Sequence, residues 1–235
     1  MLWLSTLALA HKPSFGPYAS LQDPFVVEDP NISIVVYQEI TCEEDQIWLN
    51  LSAEEGFPIY IQGGVPEIDR LADYKPHIAL LAPGLPAPEQ TLPFDIPAGM
   101  GVQVFSPEEE PSDFYEPFTQ TSSWIWIEET VPMPQTGEGY LVAWNDLGGT
   151  GKLWVATGTV EDFSDVAVDD FILWNEYVNN FHETGRFSPI IPKEEESCLS
   201  ESTEEQATSS CAQGKSALLL FPFMIFFRKR SRSYT

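Results

Sequence analysis

Basic residues are scarce through most of this chain. Arg70, Arg186, Lys12, Lys75, Lys152 and Lys193 are the six that share the stretch from His11 to Gln213 with all 36 acidic residues. A surface this acidic repels phosphate backbones and anionic headgroups, so nucleic-acid binding is excluded. Histidine and cysteine are equally rare, three of each. Without a Cys-x-x-Cys pair, a zinc ribbon or Cys/His structural metal site has no ligand set to draw on. Cys198 and Cys211 both fall in a tail expected to be flexible, so neither is forced to pair with Cys42.

Catalytic signatures are missing too. There is no Gly-x-Ser-x-Gly elbow and no His-Glu-x-x-His. A Ser-His-Asp triad would have to recruit His77 or His182, and no serine is singled out. Gly148–Lys152 superficially resembles a phosphate loop. Leu153 stands where the magnesium-binding hydroxyl belongs, and the context is strand–turn–strand, so it reads as a turn. The expected protein is therefore not an enzyme.

Long hydrophobic runs are also lacking. The most apolar stretch, Ser216–Phe227, has twelve uncharged residues before Arg228, Lys229, Arg230 and Arg232. As a helix it would span about 18 Å, against roughly 30 Å of hydrocarbon. Extending back to Cys211 gives seventeen residues, with Lys215 snorkelling. The basic cluster sets its end in the cytoplasm and everything before it outside. Residues 214–235 thus read as a short membrane helix, a marginal anchor or sorting tail through which the membrane is a partner. At the other end, Met1–Ala10 closes on Ala8-Leu9-Ala10 and reads as a truncated signal peptide cleaved after Ala10. An exported protein held at the cell surface follows.

What the chain does have is punctuation. Twenty prolines and fifteen glycines cut it into short runs rich in Ile, Val, Trp and Tyr, the pattern of an all-β domain. The predicted strands are 32–41, 46–53, 58–62, 77–82, 101–106, 123–129, 139–145 and 152–157. In the second, Ile47, Leu49 and Leu51 share one face while Trp48 and Asn50 take the other. Residues 139–157 read as a hairpin with a glycine-rich turn. Pro83–Pro97 and Pro107–Pro117 read as solvated loops. Spacings of three and four over 165–183 predict an amphipathic helix, Ser164 or Asp165 as its N-cap and Gly185 beyond its end. About eight strands and one helix argue an antiparallel β-sandwich or jelly roll over residues 11–190. Residues 191–213, rich in Glu, Ser and Thr, read as an acidic disordered stalk.

Few residues stand out as functional. Cleavage after Ala10 would leave His11 as the mature N-terminus, whose amine and ring could chelate copper with His77 or His182 completing the site and Tyr18 or Tyr37 axial. The alternative is a histidine that merely follows the cleavage point. Trp124 and Trp126 share one strand face. Exposed, they would form a platform for a surface glycan; buried, they are a core stripe, and the sequence favours the core. Glu43, Glu44, Asp45, Glu54 and Glu55 could offer oxygens to calcium, but they lie at strand ends where charged turns are expected. Asn31-Ile-Ser33 and Asn50-Leu-Ser52 fit a glycosylation sequon.

The run GEGYLVAWNDLGGTGKLWVATG resembles the closing strands of bacterial pre-peptidase C-terminal-type domains, and HIALLAPGLP is similar to their hydrophobic strand and Gly-Pro turn. That resemblance implies a small calcium-tolerant jelly roll on a secreted protein, one that binds or localises rather than catalyses. It carries over no site residue. The end, SSCAQGKSALLLFPFMIFFRKRSRS, resembles bacterial C-terminal sorting signals, which implies Cys211 as the point of processing or modification. Together these readings point to a surface-anchored, non-catalytic binding module for a glycan or protein, with a copper protein using His11 as the alternative.

Overall fold

Alternating apolar residues dictate strands with one face for a core, and in this chain many strands are apolar on both faces. The computed structural model describes residues 11–146, 148–191 and Cys198. In chain order the first strands are β1 (Lys12–Phe15), β2 (Phe25–Val27), β3 (Ile34–Ile40), β4 (Gln46–Ala53), β5 (Pro58–Pro66) and β6 (Pro76–Ala82). Then come β7 (Gly101–Phe105), β8 (Ser112–Glu116), β9 (Thr121–Pro132), β10 (Gly137–Asn145), β11 (Gly151–Thr157) and the helix α1 (Val168–Phe181). They form a six-stranded sheet of order β1-β3-β11-β5-β9-β8 and a five-stranded sheet of order β2-β4-β10-β6-β7. The protein is mostly β, two sheets packed as a sandwich with one helix. Pairing is antiparallel except for β1 with β3 and β2 with β4, which run parallel.

The core lies between the sheets. Val36, Ile61, Leu153 and Val155 from one meet Ile47, Leu49, Leu80 and Leu141 from the other. Burying each such side chain stabilises the fold by roughly 1.5–3 kcal/mol. Trp126 is buried in this core and Trp124 packs against it. A bulge sits at Gly63/Gly64, where Gly63 pairs with Ile127 and Gly64 with Ile125, leaving Trp126 as the extra residue. The two indoles form no exposed glycan platform.

Both outer faces are covered, and this overturns several expectations. Trp48, Leu81, Val142 and Trp144 on the outside of the five-stranded sheet are as apolar as the core. Leu92, Phe94 and Ile96 of the proline-rich connector pack on them, so Pro83–Pro97, a surface loop with residues 86–91 exposed as expected, also covers part of this face. The second connector contains β8. The expected hairpin over 139–157 does not form: β10 pairs with β4 and β6, whereas β11 pairs with β3 and β5. Its turn carries the chain across the sandwich, because both strands are buried on two faces and each needs neighbours on both edges.

The helix is shorter than its pattern. Ala167, not Ser164 or Asp165, precedes its first turn, and its N–H donates to Asp170 Oδ2 at 3.2 Å. Phe181, Val178 and Asn179 are buried, but Val168 and Ile172, apolar residues at the same helical spacing, are exposed. Beyond α1, Cys198 forms a disulfide with Cys42, and its N–H donates to the Gly148 carbonyl at 2.8 Å. The pairing the sequence left open is thus made, and it ties the chain after the helix to the β3–β4 turn. No helix among the described residues is long and apolar enough to cross a membrane. Residues 1–10, expected to be a signal peptide, nearly all of 191–213, expected to be a stalk, and the tail 214–235, with Ala10 and Cys211 among them, lie outside the described residues.

Candidate functional site

Strand periodicity puts Val35 and Tyr37 of β3, Trp154 of β11 and Ile125 of β9 on the outer face of the six-stranded sheet. In register, Trp154 lies directly between Tyr37 and Gly64. Gly64 is required there. A Cβ on it would come within 2.6 Å of Trp154 Cζ2 and would also strike the Trp124 carbonyl oxygen. The indole therefore lies over a strand that gives it room.

Helix α1 crosses above this face. Its C-terminal half is pinned by buried Asn179, which donates to the Thr119 carbonyl and to the Asn175 carbonyl, each at 2.9 Å, and accepts from Thr184 Oγ1 at 2.8 Å. Its N-terminal half stands off on large rings. Phe171 packs on Phe118 and Trp174, with centroids 5.8 and 5.4 Å apart. The gap between helix and sheet is a cavity of about 170 Å³. Aromatic side chains dominate its lining, among them Tyr37, Phe114, Trp154, Phe171 and Trp174. The polar lining is His11, Gln62, Glu116, Thr119, Thr121, Ser123 and His182.

Two of the three histidines meet here. His182 follows the last turn of α1. Its Nδ1 donates to the Val178 carbonyl at 2.8 Å, which leaves the Nε2 lone pair to accept the Ser123 hydroxyl at 3.0 Å. Burial, with the Lys152 charge adding to it, lowers His182 to about 4 against the opposing bond to Val178. His11 is lowered to about 4 by burial, and its Nδ1 bonds the Ser33 hydroxyl. Both rings are neutral at pH 7. His77 is elsewhere, on the outer face of the other sheet, stacked on Trp144 at 5.4 Å with Nε2 against Asp146 at 2.9 Å.

The three-histidine constellation therefore does not assemble. Both nitrogens of His182 are engaged, and among the described residues no three His, Cys, Asp or Glu side chains are grouped to hold a metal. Glu43 and Asp45 are exposed in the β3–β4 turn. The Ser123–His182 pair has the outline of a nucleophile and base, yet a ring held at about 4 is a poor acceptor for a serine proton at neutral pH. It is better understood as two buried polar groups satisfying one another.

Tyr37 is raised by burial first and by the Glu116 charge second. Glu116 is raised by burial, with Glu161 adding to it, although the Phe118 N–H donates to its carboxylate at 2.9 Å. One polar atom of the lining is unsatisfied. Trp154 Nε1 is buried and has no hydrogen-bond partner among the described residues. Sequence reasoning missed this cavity. Its signals were two rings one turn apart on the helix, Phe171 and Trp174, and a glycine in β5, neither of which locates its partner surface.

No family model matches the chain, and no curated protein matches it. Among solved structures it is similar to the Aeromonas hydrophila protein PliG, a periplasmic lysozyme inhibitor of g-type lysozyme. Identity is 12%, with 63% of this chain and 98% of that one covered and a TM-score of 0.31. It is also similar to CorA, a surface-associated copper-binding protein important in Methylomicrobium album BG8 copper acquisition. There identity is 11%, coverage 64% and 100%, and the TM-score 0.30. Scores this low carry neither fold nor ligand across.

Proposed function

We propose that this protein is an exported, non-catalytic binding module that holds a small, largely apolar molecule between α1 and the six-stranded sheet. The cavity carries this reading. An apolar cavity of about 150 Å³ is known to bind benzene, and the present one is of about 170 Å³ and walled mainly by rings. The Cys42–Cys198 disulfide supports export, because such bonds persist in oxidising compartments. Anchoring through residues 214–235, basic end inward, rests on the sequence pattern, as do the sorting-tail role of Cys211 and the likeness to pre-peptidase C-terminal-type domains.

The test is calorimetric titration of the full chain with toluene, alongside a cavity-filling variant, Val178→Phe. Val178 is buried and lines the cavity. Saturable binding by the wild type and its loss in a folded Val178→Phe supports the reading. No binding by the wild type, or equal binding by both proteins, contradicts it.

A further inference from the structure

The chemistry of the cavity wall narrows its ligand, an inference that rests on the binding reading above. We infer that the cavity selects a small neutral molecule with one hydrogen-bond acceptor, such as an aryl ketone or aldehyde, the acceptor taking the Trp154 indole N–H.

The donor side comes from Trp154. Trp154 is 4% exposed, and its N–H has no partner among the described residues. Among the described residues the two other unpartnered buried side-chain atoms, His77 Nδ1 and Trp126 Nε1, belong to residues outside this lining. Leaving a buried donor unmade is unfavourable, and a ligand that brings an acceptor recovers that loss. A pure hydrocarbon would not. Several other polar groups of the wall are matched to one another: Ser123 with His182, Thr119 with Thr121 at 2.8 Å, His11 with Ser33, and Glu116 with the Phe118 N–H. Among the described residues of this wall, the Trp154 indole N–H is the donor that is both buried and unpartnered.

The neutral character comes from charge. The lining includes no lysine or arginine, and its acidic member is Glu116. The nearest buried cation, Lys152, is committed to the Phe181 carbonyl and to Glu183. Its two imidazoles are held neutral by burial. A carboxylate guest would lose its water, find no counter-ion and face Glu116, which is costly.

Three probes of one shape separate these claims: acetophenone, α-methylstyrene and benzoate, titrated into the full chain. Acetophenone is expected to bind about tenfold more tightly than α-methylstyrene, the worth of one recovered hydrogen bond, and benzoate not measurably. In Trp154→Phe the two neutral probes are expected to bind within about twofold of each other. Should that variant fail to fold, the wild-type indole N–H resonances decide. One is expected to shift downfield with acetophenone and not with α-methylstyrene. Equal wild-type affinities for the neutral pair, tight benzoate binding, or no indole shift overturns this inference while leaving cavity binding intact. No binding of any probe overturns the cavity reading itself.

Discussion

Lys152 Nζ donates to the carbonyl oxygen of Phe181 at 2.7 Å, joining β11 to the last residue of α1. The same ammonium lies 3.0 Å from Glu183 Oε1, and Glu183 is in turn held by both terminal nitrogens of Arg70 at 2.6 and 2.8 Å. A cation at a helix C-terminus meets unsatisfied carbonyls and the negative end of the dipole. The helix that roofs the cavity is therefore clamped at one end by a buried charge cluster. Burial pushes Glu183 up, but hydrogen bonds from Arg70 and Lys152 outweigh it and hold its carboxyl below the ordinary range.

Removing one member of such a cluster strands the others. Lys152→Met is expected to destabilise the fold by about 3 kcal/mol, measured by urea denaturation. The loosened helix is expected to bind toluene less tightly. A change under about 0.5 kcal/mol, the range of an ordinary surface substitution, would mean the cluster does not hold the roof.

Gly64→Ala tests the floor. With the new methyl 2.2 Å from the Trp124 carbonyl oxygen and 2.6 Å from Trp154 Cζ2, the β5–β9 pairing must give and the indole must shift. A cost of about 1–3 kcal/mol is expected, together with weaker ligand binding. Retained stability and affinity would show that Trp154 is not seated on Gly64.

The histidines give a pH signature. The folded-state pKa of His11 and His182 is about 4, below the ordinary 6.5. Between these values the unfolded chain takes up protons that the folded chain refuses. The stability they contribute is complete above pH 6.5 and is lost as pH falls toward 4, by up to about 3 kcal/mol for His182. Glu116, raised by burial, acts in the opposite direction as it protonates. Melting temperature is expected to drop across this window, and to drop less in His182→Gln. An identical pH dependence of the melting temperature in wild type and His182→Gln from pH 7 to 4.5 would contradict the burial of the His182 ring.

Cys42 and Cys198 are 156 residues apart in sequence. Loop-closure entropy assigns such a link up to about 5 kcal/mol, part of which native strain or residual structure can remove. Reduction with dithiothreitol is expected to lower the melting temperature clearly, and Cys42→Ser to reproduce it. An unchanged melt would mean that the bond does not constrain the unfolded chain.

Much of the fold was legible because strand alternation is local. All eight expected strands are present, and Gln46–Ala53 matches at both ends. The three that were missed, β1, β2 and β8, have five residues or fewer, which leaves alternation little room to register. The false hairpin at 139–157 shows the limit. Two adjacent apolar strands with a glycine-rich turn are consistent with pairing to one another or with crossing between sheets, and only the distant partners β3, β4, β5 and β6 decide. The site was illegible for the same reason. His11, Ser123, Trp154 and His182 come from four separated segments, and nothing in their spacing announces that a helix brings them under one roof.

The most direct measurement is an isotope-filtered nuclear Overhauser spectrum of the labelled full chain saturated with unlabelled acetophenone. The expected result is a set of contacts from the ligand ring to Trp154, Trp174 and Phe171, the two walls of the cavity. Contacts confined to other residues, or none at saturating ligand, would contradict the assignment of this cavity as the binding site.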